Sequence, residues 1–175
     1  MEAVLTEAEE KRYAELQLMA LDYARHGETA TLLTMLQAGL PVNLEDLKGN
    51  TLLMLAAYNG QLGTTEALLR AGAEVDRRNQ RHQTPLGGAA FKGFTAIAEK
   101  LIDAGADINA DNGNGMTPLM FASMFGRIEM VQLLEERGAN AQARNRYGLK
   151  ASWLGTVSPF FKRMMGMRRK SKTAT

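Results

Sequence analysis

Two histidines, His26 and His82, are the only imidazoles in the 175-residue chain, and cysteine is absent. Nucleophilic catalysis needs a nucleophile, a base and a group that orients the base. Neither histidine has a partner at a spacing that would supply those roles, and no His-Glu-x-x-His or comparable metal pattern surrounds either one. Both read as surface residues. The carboxylates are equally uninformative: Asp103 and Asp107 flank a helix end, and Glu135 and Glu136 lie beside Arg137 as solvated faces do. Asn112-Gly113-Asn114-Gly115 is glycine-rich but lacks the Lys-Thr that completes a phosphate loop, so turn chemistry accounts for it. The residues thus point away from an enzyme, and no catalytic, cofactor or metal site is expected. Basic residues cluster as Arg77, Arg78, Arg81 and His82 and again as Arg144 and Arg146. Glu45, Asp46 and Asp111 interrupt them, which disfavours nucleic acid as a ligand.

The elements that carry these residues belong to one folded unit. Apolar residues make up 45% of the chain and charged residues 23%, a balance that supports a packed core. Without cysteine there are no disulfides, thiolate zinc sites or cysteine nucleophiles. The first twenty residues are acidic and lack a secretory pattern, and no stretch is apolar enough to span a bilayer, so a soluble cytoplasmic monomer is expected. The net charge of +2 is unevenly distributed. All nineteen acids precede residue 141, whereas residues 141–175 carry nine basic residues and no acid.

A period of 33 decides the architecture. Gly27, Gly60, Gly93 and Gly126 are 33 apart, and so are Gly39, Gly72, Gly105 and Gly138. Thr51, Thr84 and Thr117 keep the same step, as do Leu53, Leu86 and Leu119, and Ala56, Ala89 and Ala122. Leu68, Leu101 and Leu134 continue it, followed by Ala73, Ala106 and Ala139. Each unit reads as two short helices and a turn. Thr84-Pro85 and Thr117-Pro118 place a capping hydroxyl before proline at the first helical position. The alanines let neighbouring units stack closely, and the glycines end the second helix in a left-handed turn.

Residues 117–145, TPLMFASMFGRIEMVQLLEERGANAQARN, resemble an ankyrin repeat, and TPLGGAAFKG and LIDAGADINADN echo it. The resemblance runs from about residue 16 to 154 and implies an all-α solenoid of stacked helix-turn-helix units joined by β-hairpin-like loops. An ankyrin-repeat domain over 1–157 is expected, with an N-cap helix over 6–26, repeats to about 147 and a C-cap over 148–157. Thr6 with Glu9 forms a capping box at the start of the first helix. Ser158-Pro159 opens a basic amphipathic segment over 158–175 that covers the last stacking face and ends in disorder. The family's usual histidine after Thr-Pro-Leu is replaced by Met54, Gly87 and Met120, so the hydrogen bond linking adjacent loops is expected to be missing and stability modest. Gly87-Gly88 should make residues 82–93 the segment that frays most.

The resemblance also implies a concave binding face, formed by the residues before each inter-helix glycine and by the loop tips. In this sequence those are Tyr58 and Asn59, Phe91 and Lys92, and Met124 and Phe125, with Leu47, Arg81, Arg146 and Tyr147 on the loops. Large apolar groups among cations are an interface composition. The competing expectation is that Phe91, Met124 and Phe125 tuck into grooves between repeats. The expected function is non-enzymatic binding of another protein through the concave face. The alternatives are a small inhibitor or protective subunit of a partner enzyme, and a basic tail that reads an anionic ligand such as nucleic acid or a membrane surface; membrane attachment is disfavoured.

Overall fold

A computed structural model describes residues 6–155. The expected segment over 158–175, with its amphipathic helix and basic tail, lies outside the described residues, as do the last two positions of the expected C-cap.

Among the described residues, eight helices follow one another in pairs: α1 (Glu7–His26) with α2 (Thr29–Gln37), α3 (Leu52–Tyr58) with α4 (Leu62–Arg70), α5 (Pro85–Lys92) with α6 (Thr95–Asp103), and α7 (Pro118–Met124) with α8 (Ile128–Glu136). A further helical turn covers 151–155. The first helices pack as one row, α1 on α3 on α5 on α7, and the second helices as another, α2 on α4 on α6 on α8. Loops over 45–51, 78–84, 111–117 and 144–150 project from the rows and are called fingers 1 to 4 here. Among the described residues, no helix is long and apolar enough to cross a membrane.

The helices begin where their chemistry requires. Thr51, Thr84 and Thr117 are extended and accept the amides of Met54, Gly87 and Met120, which satisfies one orphan donor at each start. Thr6 and Glu9 form the reciprocal capping box of α1. Between the two rows Leu32, Leu53, Leu68, Leu86, Leu101, Leu119, Met130 and Leu134 are sealed from solvent. Ala56, Ala89 and Ala122 are fully buried in the first row, where a larger side chain would hold neighbouring helices apart.

The stack is joined repeat to repeat by devices that recur every 33 residues. Gln61, Phe94 and Arg127 lie over Gly27, Gly60 and Gly93 of the preceding repeat. Gln61 Nε2 and Arg127 Nε also donate to the carbonyls of Arg25 and Phe91, filling acceptors that a helix end leaves open. On the far side, Asn43, Asp76 and Asn109 accept the amides of Glu74, Asp107 and Asn140 at 2.8–2.9 Å.

The expected gap left by the missing family histidine is filled differently. Asn112 Oδ1 accepts from Thr84 N at 2.8 Å and Thr84 Oγ1 at 3.0 Å, while its Nδ2 donates to the Ala110 carbonyl. Fingers 2 and 3 are therefore linked through a buried side chain. The same side chain explains Gly87: a Cβ there would stand 1.9 Å from Asn112 Oδ1. Gly87 thus serves the link between fingers in addition to its helix-weakening effect. Helix α5 is capped by Thr84 and closed by left-handed Gly93, and its first glycine is the space that admits the link.

Candidate protein-binding face

Finger 2 and the first row of helices converge on a hollow of about 350 Å3. Tyr58 of α3, Phe91 of α5, and Phe121, Met124 and Phe125 at α7 form its walls, with Arg81 and Gln83 at the finger edge and Gly87-Gly88 also lining it. Phe91 lies at the centre of the aromatic group. Its ring is nearly parallel to that of Tyr58 at 6.2 Å, and meets the rings of Phe125 at 4.4 Å and Phe121 at 6.4 Å edge-on. These are the offset and T-shaped arrangements that ring quadrupoles favour. Lys92 Nζ sits 4.4 Å from the centre of the Tyr58 ring, a cation–π geometry that holds the ammonium at the rim.

Local structure explains this convergence. Tyr58, Phe91 and Met124 are 33 apart on stacked first helices, so each repeat delivers one bulky group to the same side. Phe121 precedes Met124 by one helical turn and thus shares its face. Gly88 occupies the register position of Leu55 and Phe121, and its lack of a side chain leaves the hollow open between Tyr58 and Phe121.

The competing readings of the aromatics separate by residue. Met124 packs on the central core while also lining the hollow. Phe91 and Phe125 are half-buried, largely by one another and by Tyr58 and Phe121, and Tyr58 is 41% exposed. Burial of Phe91 and Phe125 is therefore achieved on the surface of the first row and not by insertion into the core.

The remaining expected residues are more dispersed. Asn59 joins Tyr58 in a second hollow of about 330 Å3 between fingers 1 and 2, lined also by Arg25, Asp46, Lys48 and Asn79. Its Nδ2 donates to the Leu55 carbonyl of its own helix. Leu47, 97% exposed, stands at the tip of finger 1, and Tyr147, 72% exposed, beside exposed Arg146 on finger 4. These three do not line the aromatic hollow. Phe121, Gln83 and Gly88 do line it and were not expected; the one available signal was a small residue in one repeat facing a ring in the next.

The charges on this face are arranged unequally. Arg25 Nη2 lies 3.3 Å from Asp46 Oδ2, and Asp46 also accepts from the Lys48 and Asn50 amides and from Asn50 Nδ2. Partial burial opposes the Asp46 charge, but the hydrogen bonds of Asn50 and Lys48 and the Arg25 guanidinium outweigh it and hold the carboxyl below its ordinary range. Asp111 is occupied by the amides of Gly113 and Gly115. Elsewhere Arg77 pairs with Glu45 and Glu74, Lys100 with Glu66, and Arg137 with Asp103. Among the described residues, the side chains of Lys48, Arg81 and Lys92 form no ion pair.

A family model for ankyrin repeats, three copies, matches residues 18–112 and 53–145. The chain belongs to the ankyrin repeat family. Ankyrin repeats are generally protein–protein interaction modules, and the family is typically non-enzymatic. No curated protein matches the chain.

Proposed function

We propose that this protein is a non-enzymatic binding module that holds another protein against the aromatic face of its first-helix row. The observation that carries the reading is the group of Tyr58, Phe91, Phe121 and Phe125, four rings collected from three repeats on a surface that the central core does not need. Contiguous, partly exposed aromatics of this kind are the usual anchors of protein interfaces. Leu47 and Tyr147 at the finger tips extend the contact surface in both directions. His26 Nδ1 lies 3.3 Å from Asp22 Oδ1 of its own helix, a partner not expected from the sequence, and His82 sits on a finger turn.

The test is capture of the partner from native cells by the wild-type protein and by a Tyr58→Ala, Phe91→Ala double variant. Anchors of this class each cost about 2 kcal/mol or more of binding when truncated, so the double variant should lose the partner while keeping its helical circular dichroism. A partner retained equally by both proteins would place the binding surface elsewhere.

A further inference from the structure

Building on that reading, we infer that the hollow at Gly88 receives one aromatic side chain from a partner segment whose flanking residues are acidic. The argument starts from the two adjacent glycines, which have different physical causes. A Cβ at Gly87 would collide with Asn112, so any other residue there must push that side chain out of its link to Thr84. A Cβ at Gly88 would meet only Tyr58 Cδ2 at 3.4 Å and Tyr58 Cβ at 3.9 Å, ordinary van der Waals contact. Neither crowding nor a left-handed backbone requires glycine at 88, and glycine inside a helix is less stable than alanine. What Gly88 provides is empty space between Tyr58 and Phe121, in the register position that carries leucine or phenylalanine in the flanking repeats. A space walled by ring faces and edges suits an aromatic guest, which can adopt the same offset and edge-on contacts that the walls already make with one another.

Charge identifies the surroundings of that guest. Arg81 lines the hollow, Lys92 stands over its Tyr58 wall and Lys48 lines the adjoining hollow. Two acids of the neighbouring fingers have other partners, Asp46 in Arg25 and Asn50 and Asp111 in the amides of its own finger. Arg77, Lys100 and Arg137 are each paired with a carboxylate, whereas, among the described residues, Lys48, Arg81 and Lys92 form no ion pair on this face. Carboxylates on either side of the inserted ring would complete those three cations and set its orientation.

The experiment uses the full chain and a displayed library of random dodecapeptides, followed by blocked synthetic peptides. The probe is a dodecapeptide with one phenylalanine between aspartates, compared with versions carrying alanine for the ring or lysine for the aspartates. Selection should enrich acidic peptides with a single aromatic. Gly88→Leu fills the hollow and should weaken the phenylalanine peptide at least tenfold while the melting temperature is unchanged or raised. That combination separates occupancy from misfolding. Arg81→Glu with Lys92→Glu should weaken the acidic peptide by a similar factor and favour the lysine version. Selected peptides that require Tyr58 and Phe91 yet are neutral or basic, or that bind Gly88→Leu undiminished, overturn this inference and leave the binding face in place. Peptides indifferent to Tyr58 and Phe91 overturn both. An empty selection overturns the inference alone, since native-cell capture tests the face independently.

Discussion

At the scale of single residues, two neighbouring asparagine-type side chains determine why one glycine is needed. Asp46, Asn79 and Asn145 each use a side-chain oxygen to hold the turn of their own finger, accepting amides two and four residues ahead. In finger 3 this role passes to Asp111, which accepts from Gly113 and Gly115. Asn112, in register with the other three, is released to turn inward toward Thr84 and the space over Gly87. The two positions should therefore be strongly coupled. Gly87→Ala alone forces Asn112 aside, strands the buried Thr84 donors and should cost about 2 kcal/mol. In an Asn112→Ala background the collision is gone, and the same substitution should be neutral or slightly stabilising because alanine is the better helix former. A double-mutant cycle by urea unfolding measures the coupling, and additive effects would refute the arrangement.

At the scale of elements, the helix limits were legible because they rest on local chemistry. A threonine cap, a proline after it and a left-handed glycine act within a few residues, so spacing alone places them. The links between repeats were not legible. Whether Asp111 or Asn112 holds the turn of finger 3 depends on which oxygen finds a partner 28 residues away, and both side chains are suited to either task. Phe121 was missed for a related reason: its exposure follows from Gly88 in the neighbouring repeat, not from anything in its own helix. His82 shows the limit of reading turns from glycine alone. Its φ of 62° falls at the position that Gly49, Gly115 and Gly148 fill in the other fingers. Finger 1 also carries a pH-dependent contribution. The Asp46 carboxyl is held below its ordinary value of 3.8, so its stabilising effect is complete above that pH and is lost as pH falls through the lowered folded value. Asp46→Asn keeps the turn, since asparagine performs it at 79 and 145, and removes the charge together with the Oδ2 acceptor of Arg25 and Asn50 Nδ2. The variant should be about 1 kcal/mol less stable at pH 7, and the difference should shrink toward zero as pH falls below 3.8. Equal stability of the two proteins at neutral pH would show that the charge and the Oδ2 contacts with Arg25 and Asn50 together contribute nothing.

At the scale of the whole molecule, the core runs along the stack from Ala20 to Leu154 and each repeat packs only on its neighbours, so cooperativity depends on the junctions between them. The finger junctions are not equivalent. Between fingers 1 and 2 the Gln80 amide donates to the Lys48 carbonyl at 3.0 Å, and between fingers 3 and 4 the Arg146 amide donates to the Asn114 carbonyl at 2.8 Å. Gly113 holds the corresponding position in finger 3, but its amide is bound by Asp111. The middle junction instead uses the buried Thr84–Asn112 pair, together with Arg78 Nη1 on the Asp111 carbonyl at 2.7 Å. Two side chains, buried Asn112 and exposed Arg78, thus connect the first two fingers to the last two. Removing Asn112 should weaken this junction selectively, because it leaves only the exposed Arg78 link there while the backbone bonds on either side remain. Asn112→Ala is therefore expected to lower stability by about 1–3 kcal/mol, the cost of leaving the buried Thr84 groups unpaired, and to reduce the steepness of urea unfolding as the two halves melt separately. Hydrogen exchange would locate the division, with amides of α7 and α8 exchanging earlier than those of α3 and α4, or the reverse, in place of one common opening. A variant that still unfolds in one transition of unchanged steepness would mean that the packing of α5 on α7 and α6 on α8 couples the halves without help from the fingers.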